Sequence, residues 1–225
     1  MNHRKHLDRK IILSFFLLLG LCFSQSKFNL QLGIGFYSPK IEVADPVPKI
    51  GFVGKNLLLN WGMRYQIYPN VRIGYTRSNS YHFGKTGSSN YRRTLSYRSY
   101  SFETFYYLKE KVELNFTLAP MLSRGIITVS AKTPTADWDA LLTSYSNSSI
   151  SLETASNMTK RWLGFASHIG ARYYFSTLLS LEGKLGYYMS SYSNKNWKLE
   201  GEKVNGPPMT IGKLPVVQFN LVVGL

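Results

Sequence analysis

Apolar and polar positions alternate with period two along most of this chain, and the alternation is longest between Lys160 and Tyr188. Leu163, Phe165, Ser167, Ile169, Ala171, Tyr173 and Phe175 share one face, with Gly164, Ala166, His168, Gly170, Arg172 and Tyr174 between them. After a break at Ser176, Thr177 and Leu178 the pattern resumes, with Leu179, Leu181, Gly183, Leu185 and Tyr187 against Ser180, Glu182, Lys184, Gly186 and Tyr188. Two alternating runs around so short a break predict an antiparallel hairpin. Strands of soluble sheets run about 5–6 residues, whereas a tilted strand of about 9–11 residues is what a bilayer core requires. This hairpin has the longer kind.

The same pattern predicts six more strands. The first covers Phe28 to Tyr37, the second Leu57 to Tyr68, and the third returns from Val71 after a tight turn at Tyr68-Pro69-Asn70. The fourth spans about Arg93 to Tyr107, a turn at Leu108 to Glu110 leads to the fifth from Val112, and the eighth ends the sequence at Leu225. Long connections are predicted after Tyr37, over residues 78–91, from about Met121 to Lys160, and from about Ser191 to Lys213. Within the third of these, Thr135-Ala136-Asp137 ahead of Trp138 to Leu142 fits a short capped helix. Four long loops thus alternate with three short turns, which brings both chain termini to the short-turn side. The predicted fold is all-β, an eight-stranded antiparallel up-and-down transmembrane β-barrel.

Alternation alone does not choose which face points outward. A lipocalin-like soluble barrel would turn its apolar face inward around a ligand. Here the polar face is rich in Gly, Ser, Asn and Gln and carries charges of both signs, which suits a narrow packed lumen. Aromatic residues gather near strand ends (Phe28, Phe36, Tyr65, Tyr68, Tyr106, Phe175, Tyr187), as interfacial girdles do. The apolar face is therefore expected to meet lipid. On its alternating strands and its last segment, Val216-Val217-Gln218-Phe219-Asn220-Leu221-Val222-Val223-Gly224-Leu225, the chain resembles the small eight-stranded outer-membrane barrels of the outer-membrane protein A transmembrane-domain type. Members of that group commonly end on an aromatic residue read by the assembly machinery; this chain ends on Leu225, with Phe219 earlier in the strand.

Composition adds an export signal and a charge. His3, Arg4, Lys5, Arg9 and Lys10 precede the apolar run Ile11 to Phe23, and Cys22-Phe23-Ser24 gives a small-x-small cleavage site. Residues 1–24 are expected to be a cleaved signal peptide, and 25–225 a single barrel domain. The run is too short for a helical anchor, and cleavage removes Cys22, the only cysteine. The formal charge of +15 falls to near +12 without the leader's four basic residues and one acid. For an exported chain without a nucleic-acid motif, that charge points to anionic lipid or polysaccharide rather than nucleic acid.

Candidate chemistry lies in two places. On the predicted lumen face, Arg64, Arg72, Lys184, Arg172 and His168 meet Glu103, Glu113 and Glu182. Counting from the Ser176–Leu178 turn sets Arg172 opposite Glu182, and from the Tyr68–Asn70 turn Gln66 opposite Arg72. Such a network would fill an eight-stranded lumen. At the long-loop end, Arg92, Arg93, Lys160 and Arg161 are candidate contacts for lipopolysaccharide phosphates, which guanidinium groups grip bidentately. Tyr81, Tyr91, Tyr97 and Tyr100 suit either sugar stacking or interfacial anchoring.

Acyl-transfer chemistry of the lipid A deacylase and palmitoyltransferase kind needs His, Ser and a carboxylate together. His82 has Ser78, Ser80 and Ser88 near but no carboxylate, and Ser167 and His168 lie on opposite strand faces. No catalysis is expected, nor a cofactor, nor a metal, since Asp137 and Asp139 merely flank a Trp. The sequence therefore predicts a non-enzymatic, monomeric integral barrel of a Gram-negative outer membrane. Its expected partners are outer-membrane lipids, lipopolysaccharide and the assembly machinery, and its expected role is structural or loop-mediated surface binding. Transport of a small or apolar solute, and a lipocalin-like carrier, are the competing readings.

Overall fold

The computed structural model describes residues 27–37, 40–41, 57–86, 89–131, 156–199, 201–207 and 209–225. The expected signal peptide, the Thr135–Leu142 helix, and Asp137 and Asp139 lie outside them. Eight long strands form a closed ring: β1 (Phe28–Tyr37), β2 (Leu57–Tyr68), β3 (Val71–Thr86), β4 (Ser89–Lys109), β5 (Val112–Ala131), β6 (Ser156–Tyr174), β7 (Leu179–Ser190) and β8 (Lys213–Gly224). Each pairs antiparallel with its sequence neighbours, and β1 pairs with β8 from Asn29–Gly224 to Tyr37–Val216, which leaves the ring without a free edge. This is the eight-stranded up-and-down barrel that the alternation predicts.

The strands are unequal. β1, β2, β7 and β8 have 10 to 12 residues, while β3 to β6 have 16 to 21. About 9–11 suffice to cross a bilayer core, so half of the ring rises well above the other half. Within two segments expected as loops, residues 78–86, 89–91, 121–131 and 156–160 are thus sheet. β3 and β4 pair up to Thr86–Ser89, and β5 and β6 up to Val129–Ser156.

Sequence alternation hides these extensions because the two faces do not keep one character all the way up. In the lower ring the outward side chains are apolar and exposed, as with Leu32 at 68%, Leu163 at 69% and Leu185 at 64%. The inward ones there are Gln31, Arg64, Glu103, Asn115 and Glu182, all buried. In the raised wall β4 sends Arg92, Thr94, Ser96 and Arg98 outward and Leu95 and Tyr97 inward, where both are buried. The lower part is therefore inside-out, as lipid demands, and on β4 the upper wall is patterned like that of a water-soluble barrel.

The segment between β7 and β8 closes the top. Trp197–Leu199 and Glu202–Val204 form a hairpin that joins the edge of β6 through Met158–Leu199 and Thr159–Lys198. Met209–Thr210 pairs with Lys40–Ile41. Trp197 and Ile211, at most 1% exposed, pack into one apolar cluster with Leu58, Tyr97 and Trp162.

Candidate functional site

The lower lumen holds a salt-bridged layer supplied by six strands. Period-two alternation sends Arg64 from β2, Arg72 from β3, Glu103 from β4, Glu113 from β5, Arg172 from β6, and Glu182 with Lys184 from β7 to the axis, and all seven are buried. Glu182 is the hub. Its Oε1 accepts from Arg64 Nη1 (2.7 Å), Arg172 Nη2 (2.9 Å) and Asn115 Nδ2 (3.1 Å), and its Oε2 from Arg64 Nη2 (2.6 Å) and Asn220 Nδ2 (3.2 Å). Arg72 grips Glu113 with both terminal nitrogens at 2.7 Å, while Tyr174 donates to the same carboxylate at 2.6 Å. Glu103 receives Lys184 at 2.7 Å, Thr117 at 3.1 Å and Arg72 at 3.1 Å. The Arg72 guanidinium also lies 3.6 Å from the centre of the Phe105 ring.

Buried charges are tolerable only when paired and hydrogen-bonded. Here three carboxylates and four cations answer one another through two fork-to-fork Arg–Glu pairs. Arg172 stands opposite Glu182 and Gln66 opposite Arg72, as the turn counts place them. What the sequence did not single out is Arg64 as the two-pronged partner of Glu182, because β2 and β7 are not neighbours in the ring. Only closure brings them together.

Above this layer aromatic and aliphatic side chains enter the lumen, among buried Ser78, Ser80, His82 and Arg93. Tyr37, Tyr97 and Tyr188 meet across it, Tyr37 edge-on to Tyr97 and Tyr97 tilted against Tyr188, with ring centres 5.9 Å and 5.1 Å apart. The Tyr188 hydroxyl, tied to Gln218 (2.9 Å) and Ser78 (3.3 Å), marks the seam between the layers. Higher still, Trp162 and Trp197 flank Tyr192, and Trp197 Nε1 donates to its hydroxyl at 3.1 Å. Burial, partly offset by that bond, raises the Tyr192 hydroxyl above its ordinary pKa. The upper filling thus adds an aromatic and aliphatic layer above the charged one that the sequence places in the lumen. Of its residues, Tyr192 and Trp197 lie in a stretch expected as a loop, whereas Tyr37, Tyr97, Trp162 and Tyr188 lie in expected strands.

His168 faces the lumen with its ring edge-on to Tyr188, 5.7 Å between centres. His82 is buried on the upper inner face of β3. The lumen carboxylates sit in the salt-bridged layer, engaged by cations. Among the described residues no group of three His, Cys, Asp or Glu side chains is placed to hold a metal ion. At the short-turn end a vestibule of about 360 Å³, lined by Asn29, Tyr107, Tyr174 and Phe175, stops at Arg72 of the salt-bridged layer.

The four expected headgroup contacts separate by parity. Arg92 and Arg161 point outward and are exposed. Arg93 is 2% exposed and turned into the barrel. Lys160 shares the inner face with Trp162, donates to the carbonyls of Ser193 and Lys195, and lies 5.4 Å from the Tyr192 ring. Neighbours in sequence cannot share a strand face, so Arg92-Arg93 and Lys160-Arg161 each contribute one outward cation. Tyr97, expected near the surface, is likewise inside, whereas Tyr100 is 62% exposed at the top of the apolar belt.

No protein-family model matches the chain, and no curated protein matches it. Solved structures do. Neisserial surface protein A superposes with a TM-score of 0.55 at 10% identity, covering 89% of this chain and 98% of that one. A major outer membrane protein from Thermus thermophilus gives 0.57 at 11% identity, covering 90% and 100%. The likeness is one of architecture, that of the small outer-membrane β-barrel.

Proposed function

We propose that this chain is a non-enzymatic integral outer-membrane barrel that passes no solute, and that it serves the envelope as a closed scaffold presenting its raised β3–β6 wall and capped mouth. The observation that carries the reading is the filled interior, a salt-bridged layer below an aromatic one. An eight-stranded lumen is just wide enough for side chains to fill, and here both halves are occupied. The exposed apolar belt, running through Leu32, Ile34, Phe102, Phe116, Ile169 and Leu221, supports a bilayer as its surroundings. A lipocalin-like carrier would keep such a belt inside.

The chain is expected in the outer-membrane fraction after alkaline carbonate washing, and to run at different apparent sizes before and after boiling, because a closed ring has no edge from which to unzip. Recovery in the soluble periplasm would instead support the soluble carrier. In a planar bilayer the reconstituted protein should show almost no steady conductance. A stable, large pore would overturn the closed reading and favour transport.

A further inference from the structure

The outer wall carries a feature that a closed scaffold does not use. On four adjacent strands the first outward residue above the apolar belt is an arginine: Arg77 follows Tyr75 on β3, Arg98 precedes Tyr100 on β4, Arg124 follows Leu122 on β5, and Arg161 precedes Leu163 on β6. Arg77 stands directly opposite Arg98, and Arg124 directly opposite Arg161. Like charges facing each other across a sheet destabilise it, and here they do so twice. Among the described residues no carboxylate forms an ion pair with any of the four: the salt bridges there all lie in the lumen. The arginines border an outward-facing concavity of about 340 Å³, whose upper edge is Arg92, with its guanidinium 5.8 Å from the Tyr81 ring and 5.6 Å from the Phe83 ring.

Ordinary solvated flanks would mix their signs and run around the whole barrel. This patch has one sign and occupies one side, at the level where headgroup phosphates meet the belt. We propose that it binds a lipid of the outer leaflet whose headgroup carries two phosphates, one at Arg77–Arg98 and one at Arg124–Arg161. Arg98 is level with Leu122, one outward step below Arg124. With strands about 4.8 Å apart and outward residues about 6.7 Å apart along a strand, the two pairs lie about 12 Å from each other. Each paired set of guanidinium groups presents forked donors to one phosphate, and the phosphate relieves the repulsion within the pair. A glycerophospholipid with a single phosphate can satisfy only one of the two.

The inference rests on the reading of the chain as a membrane barrel, and the test separates the two. The full chain in dodecyl maltoside is titrated with bisphosphorylated lipid A, with monophosphorylated lipid A, and with sucrose octasulfate, and bound ligand is counted by native mass spectrometry. The bisphosphorylated lipid should bind about tenfold more tightly than the monophosphorylated one, with an advantage that shrinks as salt rises. Arg77→Gln with Arg98→Gln, or Arg124→Gln with Arg161→Gln, should each abolish that advantage. Lys109→Gln with Lys111→Gln, at the opposite end, should leave it intact. Equal binding of the two lipids, or equally tight binding of the soluble octasulfate, would overturn the two-phosphate lipid site. A protein with the unboiled mobility shift but no preference loses this inference alone; one without the shift loses the barrel reading as well.

Discussion

Replacing Glu182 by alanine is expected to be among the most damaging single changes in the lumen, costing about 3–5 kcal/mol of stability. The carboxylate accepts both prongs of Arg64 and one of Arg172, with Lys184 3.8 Å away, so its loss strands cations that water cannot reach. Cross-strand neighbourhood makes Arg172 the natural partner, and Arg172→Ala should recover part of the loss. Arg64→Ala should recover more, since Arg64 makes two of the three arginine contacts, while Glu103 keeps Lys184 and Arg72 without it. The measurement is urea-induced unfolding in lipid vesicles of the three single and two double variants against the parent. Strict additivity in both double variants would show that these groups do not act as a pair.

The ring and the candidate site were legible in the sequence to different depths, for one physical reason. Where lipid lies outside, an apolar residue is needed at every second position, and β1, β2, β7 and β8 follow that rule almost from end to end. Their bounds, and the register that sets Arg172 against Glu182, can be counted from the turns. Above the belt the outside becomes water and the rule no longer holds. On β4 Leu95 and Tyr97 face inward, while on β3 Ser78, Ser80 and His82 face inward and Tyr81 and Phe83 outward, so a search for one apolar face finds none and reads a loop. The same change concealed the aromatic seal, because Tyr97 and Trp162 look like surface residues until their parity is fixed. It also scattered the arginines. Arg77, Arg98, Arg124 and Arg161 are far apart in sequence, and only the register places them side by side, whereas the adjacent pairs Arg92-Arg93 and Lys160-Arg161 point to opposite sides of the wall. Ring closure is the remaining blind spot, since Arg64 and Glu182 meet across the lumen and no local count can join them.

Trp197→Ala should release the cap without opening the barrel. Truncating a fully buried Trp costs about 3–5 kcal/mol, and Trp197 is the largest fully buried side chain among the described residues. The indole packs against Gly206, donates to Tyr192 and reaches Gly125 on β5, so the loss loosens the 191–212 segment from the barrel while the backbone pairing of the eight strands stays in place. A Cβ on Gly206 would sit 2.2 Å from the indole Cδ1, so Gly206→Val should displace the ring from the other side and give the same result. Both variants are expected to become sensitive to protease within this segment while keeping the unboiled mobility of the parent. Neither should conduct. The Tyr37–Tyr97–Tyr188 cluster and the Glu182 layer still lie beneath the cap, two obstructions in series, and a leak needs a continuous path. Adding Glu182→Ala to Trp197→Ala should produce at most flickering currents, since the tyrosines remain. A steady conductance from Trp197→Ala alone would show that the cap is the sole seal, and that the layers below are wetter and looser than their hydrogen bonds imply.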